Sequence, residues 1–162
     1  MNKKLKYVAS FFLMIVLILS ATIFQRKRNE IDNFKCTNQS RYYIFNNDVE
    51  YDFYVVQTLQ LYNDNTGFIS FNGKVIREGI TQSVSRKILL NDGKKIDGHT
   101  FKYRNGGIRK LSVDYVDDKV FRLLLSEVSI DDSIIIFERQ KVDSKAWLIG
   151  NPDAWVLTCV EY

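Results

Sequence analysis

Tyr7 to Phe24 (YVASFFLMIVLILSATIF) runs for 18 residues without a charge. A helix of that length spans roughly 27 Å, close to the ~30 Å hydrocarbon core of a bilayer. Lys3, Lys4 and Lys6 precede the run, and Arg26-Lys27-Arg28 follow it at once. Three structures compete for such a segment: an uncleaved anchor, a cleaved signal peptide and a buried core helix. Basic residues at both ends and the lack of a polar stripe disfavour the core helix. A cleavage site at Leu19-Ser20-Ala21 is disfavoured because the apolar run continues to Phe24 and basic residues follow. The segment carries no cysteine, which excludes lipoprotein anchoring. The expected organisation is a cytoplasmic tail over 1–6, a transmembrane anchor over 7–24, a linker over 25–35 and one folded domain over 36–162. The signal peptide remains the competing reading.

Flanking charges nearly balance, so the positive-inside rule gives only a slight bias towards a cytoplasmic N-terminus. The two cysteines decide the orientation. Cys36 lies just past the anchor and Cys159 three residues from the last residue. A lone pair at the two ends of a domain reads as a disulfide in an oxidising compartment, against the alternative of two unrelated buried thiols. The expected location is therefore the inner membrane, single-pass, with the domain in the periplasm.

Of 23 basic residues, six fall within residues 1–28, which hold no acid. The other 134 residues keep 17 basic and 19 acidic groups, a net of −2. The basic balance belongs to the N-terminus, which argues against direct nucleic-acid binding by the body. One histidine and two cysteines are too few for a Cys/His zinc site, and no cofactor motif occurs.

From Arg41 onward the pattern is that of strands. Phe53, Val55, Leu59 and Leu61 alternate on one face of a strand over Tyr51–Tyr62. Asn63 to Gly67 reads as a turn, Phe68–Arg77 as the second strand, and Gly73 within it as a bulge or a close backbone approach. Gln82–Leu90 makes a third strand ended by Asn91-Asp92-Gly93. Asn105-Gly106-Gly107 reads as a hairpin turn between Thr100–Arg104 and Ile108–Tyr115. Within Val116–Ser126, Asp117 fits the cap of a short helix with Val120, Phe121, Leu124 and Leu125 on one face. Ser133–Gln140, Ala146–Ile149 and Trp155–Tyr162 read as final strands, the last two joined by a turn over Gly150–Asp153. The predicted fold class is an N-terminal transmembrane helix followed by a mostly antiparallel β domain, a sandwich or small barrel with one short helix.

Catalytic signals are weak. His99 stands alone in a turn after Asp97-Gly98, and no G-x-S-x-G elbow supports it. Asp117-Asp118 and Asp131-Asp132 are adjacent pairs, which read as a turn or cap rather than a converging dyad. The chain reads as no enzyme. Asp48, Glu50 and Asp52 alternate and would share a face at ~6.6 Å spacing, where like charges raise one another's pKa. With His99 they are the candidate pH-responsive groups. Tyr42, Tyr43, Tyr51, Tyr54, Tyr62, Trp147 and Trp155 are candidates for an apolar ligand cavity, though aromatic residues at strand spacing more often form core.

Taken together, the anchor, Cys36, Gly67, Gly73, Arg86, Phe101-Lys102-Tyr103, Gly107, Leu111, the ending Leu148-Ile149-Gly150-Asn151-Pro152 and Cys159 carry a resemblance across nearly the whole chain. The chain resembles the single-span accessory proteins of ToxR-like membrane transcription factors, the FidL-like and MyfF/PsaF fimbrial regulators. The FidL-like pattern has a serine near Gly150 and a second proline near Trp155; this chain has neither, which favours the fimbrial branch. The resemblance implies a non-enzymatic role: pairing through the periplasmic domain with a bitopic activator, stabilising it and relaying external conditions. The few residues expected inside the membrane could act on transcription only through such a partner. The alternative class is a periplasmic β domain that binds a lipid or bile-like amphiphile, or aids envelope assembly.

Overall fold

The computed structural model describes residues 11–20, 31–128, 130, 133–152 and 154–162. Two compact units divide the chain, residues Met1–Glu30 and Ile31–Tyr162. In the first, residues 11–20 are helical (α1) and expose their apolar side chains. The rest of the predicted 7–24 span lies outside the described residues. Among those residues no helix is long and apolar enough to cross a membrane.

The second unit is a closed barrel of eight antiparallel strands in chain order. They are β1 (Phe34–Asn46), β2 (Val49–Leu61), β3 (Gly67–Arg77), β4 (Ile80–Lys95), β5 (Thr100–Lys110), β6 (Ile134–Lys141), β7 (Ala146–Gly150) and β8 (Trp155–Glu161). Of the two predicted architectures the barrel is the one formed. On β2 the period-two pattern works as read: Phe53, Val55, Leu59 and Leu61 are buried, with Gln57 in the same phase. Ladders from β1 to β4 are long and regular, ten or more residue pairs each. The closing seam is short. β8 pairs with β1 at two register positions, Cys36↔Glu161 and Thr37↔Val160.

The domain starts earlier than predicted. Ile31 is fully buried and β1 begins at Phe34, so residues 31–35 belong to the domain rather than to the linker. Residues 25–30 lie outside the described residues. The polar stretch before Arg41 conceals this strand, because only Phe34, Cys36 and Ile44 on β1 are buried.

Two predicted strand ends are bulges instead. β4 continues through Asn91-Asp92-Gly93, with a register shift between Asn91↔Arg104 and Lys94↔Lys102. Asp92 takes φ +53, and a Cβ on Gly93 would come within 2.4 Å of Tyr103 Cε1. β5 likewise runs unbroken through Asn105-Gly106-Gly107, whose register slips between Leu90↔Asn105 and Ile88↔Ile108. Gly107 has φ +96. A hairpin turn and a bulge ask the same of a chain locally, a positive φ and no Cβ, and here the neighbouring strand decides. Gly73 is the close approach predicted: a Cβ there would sit 1.9 Å from the Tyr54 carbonyl oxygen.

α2 (Asp118–Glu127) fills the β5–β6 connection. Asp117 is its N-cap, accepting from the Lys119 N–H at 2.8 Å, and Asp118 lies in the first turn where the helix dipole favours an acid. Val120, Phe121, Leu124 and Leu125 are its buried face, as the spacing predicts. Phe121 meets Phe71 edge to face at 5.6 Å, so the helix covers the barrel end at which β5 finishes.

Candidate functional site

Cys36 and Cys159 form a disulfide, Cα–Cα 5.5 Å, both buried. It fastens β1 to β8 at the two-pair seam, where the hydrogen-bond ladder is weakest. One covalent bond thus completes the barrel.

The four predicted pH-responsive residues are not brought together. Asp48 (φ +61) lies in the β1–β2 turn, while Glu50 and Asp52 lie on β2 beside it. His99 is exposed in the β4–β5 loop, at the other end of the barrel, and its carbonyl accepts from the Arg139 N–H at 3.0 Å. Asp52 also departs from the expected mutual repulsion. The Arg41 guanidinium, across the strand pair, donates to both its oxygens (2.8 and 2.7 Å), and Tyr54 donates a third bond at 2.9 Å. Arg41 therefore holds the Asp52 carboxyl below its ordinary value, with Tyr54 adding to it against the opposing effect of burial. Beside them a hydrogen bond to Glu50 pushes the Tyr43 phenol up. Asp117 and Asp118 serve cap and helix N-terminus, whereas Asp131-Asp132 lie outside the described residues.

Two arginines are buried in the barrel. Arg86 follows the buried phase of β4 with Val84, Ile88 and Leu90 and is 2% exposed. Its Nε donates to Asp114 Oδ2 at 2.9 Å, Nη1 to Asp118 Oδ1 at 2.8 Å, and Nη2 to Asp114 Oδ1 at 3.2 Å and to the Val116 carbonyl. Asp114 also accepts the backbone N–H of Ser85 (2.8 Å) and of Val116 (3.0 Å). Burial by itself would raise this carboxyl; Arg86 and the two N–H groups outweigh it and hold it low. Arg139 continues the buried phase of Ile135 and Phe137 on β6. Its guanidinium lies 4.7, 4.6 and 5.5 Å from the ring centres of Phe34, Phe101 and Trp147, and Asp32 approaches at 3.8 Å. Burial lowers its pKa, and the Asp32 charge opposes that. The sequence signal for both is an arginine in the apolar phase of a strand. Near Arg139 the Tyr103 hydroxyl is buried without a hydrogen-bond partner among the described residues, and its pKa is pushed up to about 12 by burial.

An apolar pocket of about 70 Å³, partly open to solvent, is lined by Leu59, Ile69, Phe71, Ile135, Ile149 and Leu157 with the amides of Gln57 and Asn38. None of the seven tyrosines and tryptophans proposed from strand spacing lines it. Tyr51 is core instead, and Tyr42 accepts a 2.6 Å bond from Gln57 Nε2. Among the described residues no three His, Cys, Asp or Glu side chains gather as a metal site. No protein-family model matches this chain, and no curated protein matches it. What the fold and interior define is an up-and-down β-barrel stapled by one disulfide and covered at one end by a helix.

Proposed function

We propose that this protein is a membrane-tethered periplasmic accessory protein that binds and stabilises a ToxR-like transcriptional activator, one controlling fimbrial or virulence genes. The disulfide carries the reading: a bond across the barrel seam supports folding in an oxidising compartment, beyond an N-terminal run of membrane-spanning composition. The partner follows from the resemblance to the MyfF/PsaF regulators. A closed barrel offers no free sheet edge along most of its length, so the partner docks on side chains. Phe45 (63% exposed), Ile80 (65%), Val113 (57%) and Tyr115 (69%) stand out at the α2 end and are the side chains it covers. In cells expressing both chains, the activator's half-life lengthens and the two crosslink through their periplasmic domains. Phe45→Glu with Tyr115→Glu weakens the complex about tenfold or more. An activator with unchanged half-life and no crosslink defeats the reading.

The apolar pocket favours a second reading, amphiphile binding. At about 70 Å³ it falls short of the ~300–1,000 Å³ that houses a whole small ligand, so it takes only the end of an apolar chain. A bile-type amphiphile that raises Tm for the native chain and not for Ile69→Trp would establish that reading instead.

A further inference from the structure

The up-and-down order sends the β2–β3, β4–β5 and β6–β7 loops, the domain's first residue Ile31 and its last, Tyr162, to one end of the barrel. Four apolar side chains are exposed there: Tyr62 (36%), Ile96 (58%), Val142 (51%) and Tyr162 (64%). Lysines flank three of them. Lys94-Lys95 precede Ile96, Lys141 precedes Val142 with Lys145 closing the same loop, and Lys35 Nζ lies 4.2 Å from the Tyr162 ring centre.

Several acids of this end take local partners, while Glu138, opposite Thr100 on β5, has none among the described residues. Asp64 accepts from the Thr66 N–H and hydroxyl, Asp97 from the N–H groups of His99 and Thr100, and Asp143 from the Ser144 N–H. Glu161 accepts from Trp147 Nε1, Asp92 pairs with Arg104, and Asp32 faces Arg139. Lys94, Lys95 and Lys145 have no carboxylate partner among the described residues.

Apolar loop tips with lysines around them match a bilayer surface, where aliphatic and tyrosine side chains enter the headgroup layer and lysines meet lipid phosphates. The covalent path selects the same occupant. The uncharged run ends at Phe24, and the seven peptide steps from there to Ile31 reach at most ~25 Å. We propose that this end of the barrel seats on an anionic membrane surface through Ile96 and Val142, leaving the α2 end for the partner. The proposal rests on the tethered reading above.

The test uses the full chain in vesicles of phosphatidylglycerol and phosphatidylcholine with brominated acyl chains, carrying Ile96→Trp, Val142→Trp or, as the opposite-end control, Ile80→Trp. All three sites are exposed, and matched melting curves verify folding. Brominated lipid quenches the added emission of the first two variants and not of the third. Replacing phosphatidylglycerol by phosphatidylcholine reduces the loss. A chain that floats with the vesicles yet shows equal quenching at all three sites, or none, overturns this proposal alone. A chain that does not float overturns the tether and the proposal with it.

Discussion

Arg86 joins three stretches of chain at once: its own strand, the segment that carries Asp114 and Val116, and the first turn of α2 at Asp118. Removing one member of a buried, hydrogen-bonded pair leaves the other charge unsolvated, which costs about 3–5 kcal/mol. Arg86→Ala should therefore lower stability by that order in denaturant unfolding, and Arg86→Met with Asp114→Leu by much less. The pH dependence follows from the lowered Asp114 carboxyl. A depressed folded-state pKa stabilises fully above the unfolded value and loses that contribution as pH falls through the folded one. With an ordinary value of 3.8, the loss falls below about pH 4, so this node contributes evenly through mild acid. Melting temperature against pH should show the drop below pH 4 in the native chain and flatten it in Asp114→Asn. Asp52, lowered by Arg41, has the same sign and gives no response in mild acid.

At the scale of elements, α2 and the β4–β5 pair show two kinds of local signal. The helix was legible because cap, spacing and burial agree: Asp117 at the N-cap and four apolar residues in helical phase. Asp117→Ala should cost about 1 kcal/mol and leave the fold intact, as read by thermal melting and circular dichroism. The glycine-rich stretches were legible only as breaks in regular extended chain. Gly93 is buried against the Tyr103 ring, so Gly93→Ala should be more damaging than its place in a polar Asn-Asp-Gly stretch suggests, by about 1–3 kcal/mol from forced displacement of a packed ring. Gly98, with open space around it, is the control that should tolerate alanine.

At the scale of the molecule, the barrel closes with two residue pairs and one disulfide. Replacing both cysteines by serine should cost about 2–5 kcal/mol and open β8 first, seen as faster hydrogen exchange across the β1–β8 seam than across β2–β3. The separation of 123 residues makes this a long loop, whose closure removes chain entropy from the unfolded state. The amino-acid order by itself determined the strand-rich class, the phase of β2, the position and cap of α2, the Gly73 approach and the cysteine pairing, because each is a local or end-to-end pattern. Tertiary structure decided the rest. Whether Asn105-Gly106-Gly107 turns or bulges depends on which backbone lies beside it. The burial of Ile31 and the start of β1 depend on a ladder with β2, since the intervening residues are polar. Asp52 titrates low rather than high because Arg41 lies opposite Tyr54 in the β1–β2 register, one strand away and eleven residues distant. Electrostatics and packing act through space, and only the closed barrel specifies which residues share it.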